Sequence, residues 1–410
     1  VTTWLSSPAH QRWLEAETDR LLTFSHGTPV PDGFGWAGPD GTVDRSRATE
    51  LWITCRMTHS HALGTLLGRP ASGPLVDHGL AALAGPLQDQ VHGGWFAAVG
   101  PDGPTDTTKG AYPHAFVVLA AASATLAGRA GARELLDRAL AVSQDRFWDE
   151  DAGMVVESWD RTFTACEEYR GVNATMHTVE AYLVAADATG DRLWLDRAAR
   201  MTGRVVDGFA RDHRWRIPEH FDTAWRPVLD HNADEPAHPF RPFGATVGHW
   251  FEWARLTLHL RASLVAQGDE VPAWMLQAPQ ELVEAGVREG WGADGHPGFV
   301  YTVDWDGRPV VTQRMHWVLC EAIAAVSALH AVTGDERYAA WYQQWWEHAA
   351  HRFIDHERGS WHHETDPDGR PATGTWAGKP DVYHALQATL LPRLPLAPGL
   401  AAGLAHGLLR

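Results

Sequence analysis

Apolar positions along the chain fall into two alternating helical patterns. The first has apolar residues every three or four positions with charged residues between them. It occurs in "SPAHQRWLEAETDRLLTF", "ARELLDRALAVSQDRFW", "DRLWLDRAARMTGRVVDGF" and "ERYAAWYQQWWEHAAHRF", and predicts amphipathic helices with one face in water. "SGPLVDHGLAALAGPLQ" is the weakest of this set, with Pro86 near its end. The second pattern is apolar nearly all round and predicts helices buried on several sides. It occurs in "RATELWITCRMTHSHALGTLL", "GAYPHAFVVLAAASATLAG", "NATMHTVEAYLVAADATG", "GHWFEWARLTLHLRASLVA", "RMHWVLCEAIAAVSALHAVTG" and "KPDVYHALQATLLPRL". Several of these end at glycine, a normal helix stop.

A short aromatic segment with turn residues precedes each helix of the second set. It reads "GFGWAGPDG", "GGWFAAVGPDG", "AGMVVESWDRT", "HRWRIPEHFDTAW", "PGFVYTVDWDGRP" and "GSWHHETDPDGRP", six copies in all. Alternation bounded by Asp-Gly or similar turns predicts hairpins. An outer helix, a hairpin and an inner helix repeated six times predict an (α/α)6 barrel, because no single unit can bury its own apolar face. The expectation is one all-α catalytic domain over residues 1–410, with the tail "LPLAPGLAAGLAHGLLR", from about 395, outside the repeat. The longest insert, Asp222 to Val247, is loop-like and long enough to be functional.

Composition narrows the partners. The 410 residues are 44% hydrophobic and 21% charged, as in ordinary globular proteins. The net charge is −17 with no Lys/Arg-rich stretch, which argues against nucleic acid and anionic membranes but leaves room for a local basic pocket. Cys55, Cys166 and Cys320 lie far apart, without metal-site or redox spacing, which fits a reducing compartment. "VTTWLSSPAHQRW" lacks the basic and apolar segments of a secretory leader, and the apolar run Ala115–Gly128 is too short to cross a bilayer. A cytoplasmic setting is expected.

Unusual polar residues cluster in the first turns of the inner helices. They are Arg56 with Trp52, Tyr112 with His114, Asn173 and His177 with Glu180, His249 with Glu252, Arg314 with Trp317, and Tyr383 with His384. Parallel inner helices bring these ends to one mouth, and a helix N-terminus helps keep a nearby histidine neutral. Among 24 histidines most are structural; His351, His356, His362 and His363 fall in or near turns and are assigned there. Trp52, Tyr112 and Trp317 also suit a core, and Asn173 also suits an N-cap. His177/Glu180 and His249/Glu252 reverse the order of a Glu-x-x-His di-iron site, and no H-E-x-x-H motif occurs, so no metal and no cofactor is expected. Neutral histidines facing a pocket can move protons on a carbon acid and on a hydroxyl.

The chain resembles the N-acylglucosamine 2-epimerase superfamily over nearly its whole length. The resemblance lies in "RMTHSHA" with Arg56, "HGGWF" at His92, "KGAYPHAFVVLA", "NATMHTVEAYL", "GHWFEWARL", "RMHWVLCEA" with Trp317 and Glu321, and "KPDVYHALQ". It implies an (α/α)6 barrel and a metal-independent isomerase or epimerase of free monosaccharides. It also implies His249 and His384 as the acid/base pair, assisted by Arg56, His177 and Glu252. Trp52, Tyr112, Asn173 and Trp317 would line the sugar site. "FRPFGATVGH" before "GHWFEWARL" is more similar to the aldose–ketose branch, which implies interconversion of D-mannose and D-fructose, with D-lyxose a further substrate. A sulfosugar, with Arg241 on its sulfonate, is one alternative, and 2-epimerisation of N-acylglucosamine or cellobiose is another. Lys379 is left outside the catalytic set. From other classes, a glycoside hydrolase would need two carboxylates across the cleft, from Glu252 with Glu180 or Glu321. A non-enzymatic sugar-binding toroid would need the aromatics but not the His pair.

Overall fold

The computed structural model describes residues 3–410. Its helices are α1 (Pro8–Ser25), α2 (Leu51–Leu66), α3 (Ser72–Ala84), α4 (Ala111–Leu126), α5 (Ala132–Val142), α6 (Val172–Thr189), α7 (Arg192–Thr202), α8 (Val247–Ala266), α9 (Trp274–Gly290), α10 (His316–Thr333), α11 (Glu336–Arg352), α12 (Tyr383–Leu390) and α13 (Leu400–Ala405). Odd-numbered helices up to α11 form the outer ring and even-numbered helices the inner ring. Each inner helix from α2 to α10 packs on the outer helix that follows it, and α12 closes the circle against α1 and α2. The sixfold reading of the sequence therefore stands. It omitted one outer helix, α9, because Pro279 interrupts its pattern; the structure holds Pro279 inside the helix, buried. α10 is long and apolar enough to cross a membrane by composition, but 72% of that window is buried within the ring.

The hairpins sew neighbouring sectors together. The two residues before an inner helix pair with a strand of the next hairpin: Thr49 with Val99, Lys109 with Trp159, Arg170 with Phe221, Ala245 with Val303, and Arg314 with Thr365. The first amide of the inner helix then donates into the same hairpin. Leu51 donates to Ala97, Ala111 to Glu157, Val172 to Glu219, Val247 to Tyr301 and His316 to His363, over 2.7–3.2 Å. These are amides a helix cannot satisfy internally. The ring closes where the Lys379 amide donates to the Ala37 carbonyl at 2.8 Å.

Buried cations brace three of these junctions. Lys109 Nζ meets Asp89 at 3.1 Å, Lys379 Nζ meets Asp355 at 2.6 Å, and Arg314 meets Asp294 through two bonds of 2.7 Å. Each also donates to backbone carbonyls of the preceding turn. At the opposite end of the ring, α13 plugs the base against α2, α4 and α6. Asp187 accepts the Gly399 amide at 2.8 Å, and His259 donates to the Leu396 carbonyl at 2.8 Å. The tail is thus part of the packing at the base of the ring.

Several histidines are core residues. His59 bonds Ser123, His61 bonds Ser25, and His114 donates to the Ala139 carbonyl. Burial holds His59, His114 and His259 near pKa 4 and His61 near 3, against an ordinary 6.5. Such groups stay neutral in the fold while the unfolded chain takes up protons. Stability is therefore full above pH 6.5 and is lost as pH falls from 6.5 towards 4. The melting temperature should drop by about 10 °C or more across that interval. Thermal scans by circular dichroism at stepped pH test this; a flat profile would contradict it.

Candidate active site

One cavity opens at the N-terminal ends of the inner helices and is lined by residues of all six of them, a common setting for a small-molecule site. Counting from the first residue of each inner helix, positions 2 and 6 face this cavity or its floor. They are Trp52 and Arg56, Tyr112 and Phe116, Asn173 and His177, Gly248 and Glu252, and Trp317 and Glu321, while α12 presents His384 at position 2. Two positions one helical turn apart share a face. Position 4 lies on the opposite side. That corrects the placement of His114, which stacks on Phe147 at 4.9 Å between centroids and looks outward. Arg314 is likewise outside the cavity, in the strand before α10, braced on Asp294.

His249 and His384 both line the cavity, and Trp317 lies between them, 5.2 Å from His249 and 5.8 Å from His384 between ring centroids. The indole fits there because position 2 of α8 is Gly248. A Cβ on that residue would stand 2.3 Å from the Trp317 ring. Each histidine is anchored through Nδ1 by a buried glutamate: His249 by Glu219 and His384 by Glu321, both at 2.9 Å. A carboxylate only accepts, so Nδ1 carries the proton in each neutral ring. Nε2 then offers a lone pair, with no protein partner among the described residues. Burial, reinforced by the Arg56 charge, holds His384 well below its usual pKa. Burial likewise holds His177 near 4.

Beneath these rings lies an ionic floor. Arg255 donates through Nε to Glu321 at 2.7 Å, and its NH2 group stands 3.5 Å from both Glu180 and Glu252. Glu180 also accepts from the Tyr383 hydroxyl and from Gln387. Burial and the Glu321 charge push Glu252 well above the ordinary carboxylate range, towards its protonated form. Arg56 reaches Asp381 at 3.2 Å and the Tyr112 hydroxyl at 3.0 Å, with its guanidinium over the rings of Trp52, Phe116 and Tyr383. Burial pushes the Tyr112 phenol up to about 12.

All nine residues predicted for the site therefore converge. Asn173 is not an N-cap, since Gly171 holds that position. Glu180 belongs to the floor. Lys379 is a structural strut, and Arg241 is bound to Glu167 by two bonds of 2.7 and 2.9 Å, in an adjoining pocket that shares Trp52, Tyr112, Asn173 and Phe240 with this cavity. The Asp222–Val247 insert supplies a roof: Phe240 packs edge-on against Tyr112, Trp52 and Trp376. Residues not anticipated are Glu219, Asp381, Tyr301, His316, Trp376 and His363, the last assigned to a turn from sequence. Most come from hairpins and loops, where helical periodicity gives no signal.

His177, Glu180 and Glu252 bring three possible metal-ligand atoms within 4.8 Å of one another. His177 Nδ1 stands 3.6 Å from Glu180 and 3.7 Å from Glu252. Arg255 already neutralises this group, so an added dication would meet its charge and that of Arg56 at close range.

Known proteins are similar to this chain over nearly its whole length. A D-mannose isomerase of Thermobifida fusca is 53% identical over 99% of both chains. A second, from Pseudomonas cannabina pv. alisalensis, is 47% identical over 98% of this chain and 97% of its own. A crystal structure of a D-mannose isomerase superposes with a TM-score of 0.86 at 28% identity, covering 94% of this chain and 98% of that one. The sequence model for N-acylglucosamine 2-epimerase (GlcNAc 2-epimerase) matches residues 33–388. The chain thus belongs to the N-acylglucosamine 2-epimerase family and is an isomerase or epimerase.

Proposed function

We propose that this chain, acting as one catalytic unit, interconverts D-mannose and D-fructose. The observation that carries the reading is the pair of Glu-anchored imidazoles, His249 and His384, on either side of Trp317 in one roofed cavity. The near-full-length relatives named D-mannose isomerase support the choice of sugar and of a ketose product. A reducing, cytoplasmic setting suits the three unpaired thiols.

The steps follow from the protonation states. His249 Nε2 and the protonated Glu252 exchange hydroxyl protons with the sugar and open its ring. His384 Nε2 takes the C2 proton, and the electron pair moves through C1–C2 onto O1. Glu252 and Arg56 stabilise the enediolate oxygen with donated hydrogen bonds. While it resides on His384 Nε2 this proton exchanges with solvent; His384 then delivers a proton to C1 while the O2 proton moves to O1, which gives the ketose. No external oxidant, reductant or metal is required by this balance. His177 and Asn173 contact sugar hydroxyls, and the indoles of Trp52 and Trp317 supply its apolar walls.

Alternative readings lose their required groups. A sulfonate would need a free cation, yet Arg56 is engaged by Asp381 and Arg241 by Glu167. A glycoside hydrolase would need two free carboxylates across the cleft. Of the carboxylates nominated for it, Glu321 is bonded to His384 and Arg255, and Glu180 to Tyr383, Gln387 and Arg255, which leaves Glu252 alone.

His384→Asn should lower kcat by roughly 10²–10⁴-fold. In D2O the wild-type enzyme should place deuterium at C1 of fructose and C2 of mannose, read by NMR after EDTA treatment. Full activity in the variant, or activity that EDTA abolishes and zinc restores, would overturn the reading. Because His384 titrates well below 6.5, its base form survives mild acid, so the acidic limb of kcat/KM should lie below pH 6.5. A limb centred at 6.5 or above would remove His384 from the base role. Gly248→Ala should displace Trp317 and lower kcat/KM by about 100-fold while the melting temperature stays within a few degrees; an unchanged kcat/KM would show the indole's position to be immaterial.

A further inference from the structure

Two histidines in the cavity wall have no part in this mechanism. His316 opens α10, and His363 lies in the last hairpin. Their rings stack at 3.9 Å between centroids with a 27° tilt, and His316 meets the His384 ring edge-on at 6.3 Å. The His316 Nδ1 faces the His363 carbonyl at 3.3 Å, and its backbone amide donates to the same oxygen at 3.1 Å. Its Nε2 is sealed from solvent without a partner. A buried unpaired nitrogen weakens the fold, so stability alone does not account for the stack.

The orientation of His363 shows what the stack holds. His363 Nε2 lies 3.1 Å from the Asp381 carbonyl, which can only accept, so Nε2 carries the hydrogen. His363 Nδ1 is then a bare acceptor. It has no protein partner among the described residues and, unlike His316 Nε2, is not sealed off. Burial lowers the His363 pKa to about 3, so the ring remains an acceptor at any working pH. His363 also occupies the hairpin position whose carbonyl receives the first amide of an inner helix. Glu219 and Tyr301 hold that position in earlier sectors, and both serve the cavity, one by anchoring His249 and the other by lining the wall.

We propose that His363 is a specificity-determining residue, its Nδ1 accepting a hydrogen bond from one sugar hydroxyl on the His384 side, with His316 as the positioning platform that fixes its plane. The inference rests on the free-monosaccharide reading of the site. It implies a substrate with a hydroxyl donor at one fixed place, and rejection of the sugar that lacks it.

The test compares wild type, His363→Phe and His363→Asn on mannose and its 3-, 4- and 6-deoxy analogues. Phe keeps a flat ring but removes the acceptor; Asn restores an acceptor near the Nδ1 position. For wild type, one analogue should fall at least about 100-fold below mannose in kcat/KM. His363→Phe should lower kcat/KM for mannose by about 10-fold or more and treat that analogue and mannose alike; His363→Asn should recover part of the discrimination. An equal loss on all four sugars, or unaltered discrimination, would overturn the proposal. If His363→Phe melts early, His363→Asn and His316→Phe carry the same comparison of ratios. If wild type turns over no mannose, the isomerase reading fails. The His363 inference is then read from the ratios of dissociation constants for the same four sugars, measured by tryptophan fluorescence, and ratios identical in wild type and variant would overturn it.

Discussion

The site depends on one buried guanidinium. Arg255, on α8, touches carboxylates from α6, α8 and α10, and through Glu180 it reaches the Tyr383 hydroxyl on α12. Three carboxylates around one cation cannot all remain ionised away from water. Glu180 settles low, held by His177, Arg255 and Tyr383 against the upward push of burial, and Glu252 is pushed high, towards its neutral form. Glu321, bonded to Arg255, orients His384. The tautomer of His384 and the upward shift of Glu252 beside it therefore have a common origin in charge balance below the floor. Losing one partner of such a buried cluster typically costs about 3–5 kcal/mol, so floor and fold stand or fall together.

Much of this was legible in the sequence because an inner helix has a fixed phase. Once its first residue is set by the hydrogen bond into the next hairpin, positions 2 and 6 must face the axis. Trp52, Arg56, Asn173, His177 and Glu252 follow that rule. His114 was misplaced because proximity to a helix start says nothing about phase; at position 4 it points at the outer ring. Arg314 failed for a different reason. It precedes its helix, and Lys109 and Lys379 show that a cation at such a junction braces a turn.

The hairpin contribution was harder to see, though not wholly silent. Glu219, Tyr301 and His363 each stand two residues after a buried apolar residue: Ile217, Phe299 and Trp361. Each lends its carbonyl to an inner-helix amide. Aligning these five hairpins on that apolar residue places Ala97, Glu157, Glu219, Tyr301 and His363 in one column. An alanine, two glutamates, a tyrosine and a histidine at a structurally constant position are a signature of function, because the backbone role is met by any residue. A single hairpin read alone hides it, and His363 then looks like one more polar residue in a turn.

The same logic explains why so apolar a ring keeps so many polar groups. A closed repeat makes every inner-helix N-terminus converge, so the unsatisfied amides of the ring would meet at one point. The hairpin carbonyls remove the first amide of five inner helices, and their side chains are thereby delivered to the mouth as a consequence of backbone bonding. The cavity is thus built by the constraint that closes the barrel. What distinguishes one member of such a fold from another is then the identity of side chains at positions the backbone has already aimed. Gly248 shows the rule from the other side, since the missing side chain at position 2 of α8 is what admits Trp317 between His249 and His384.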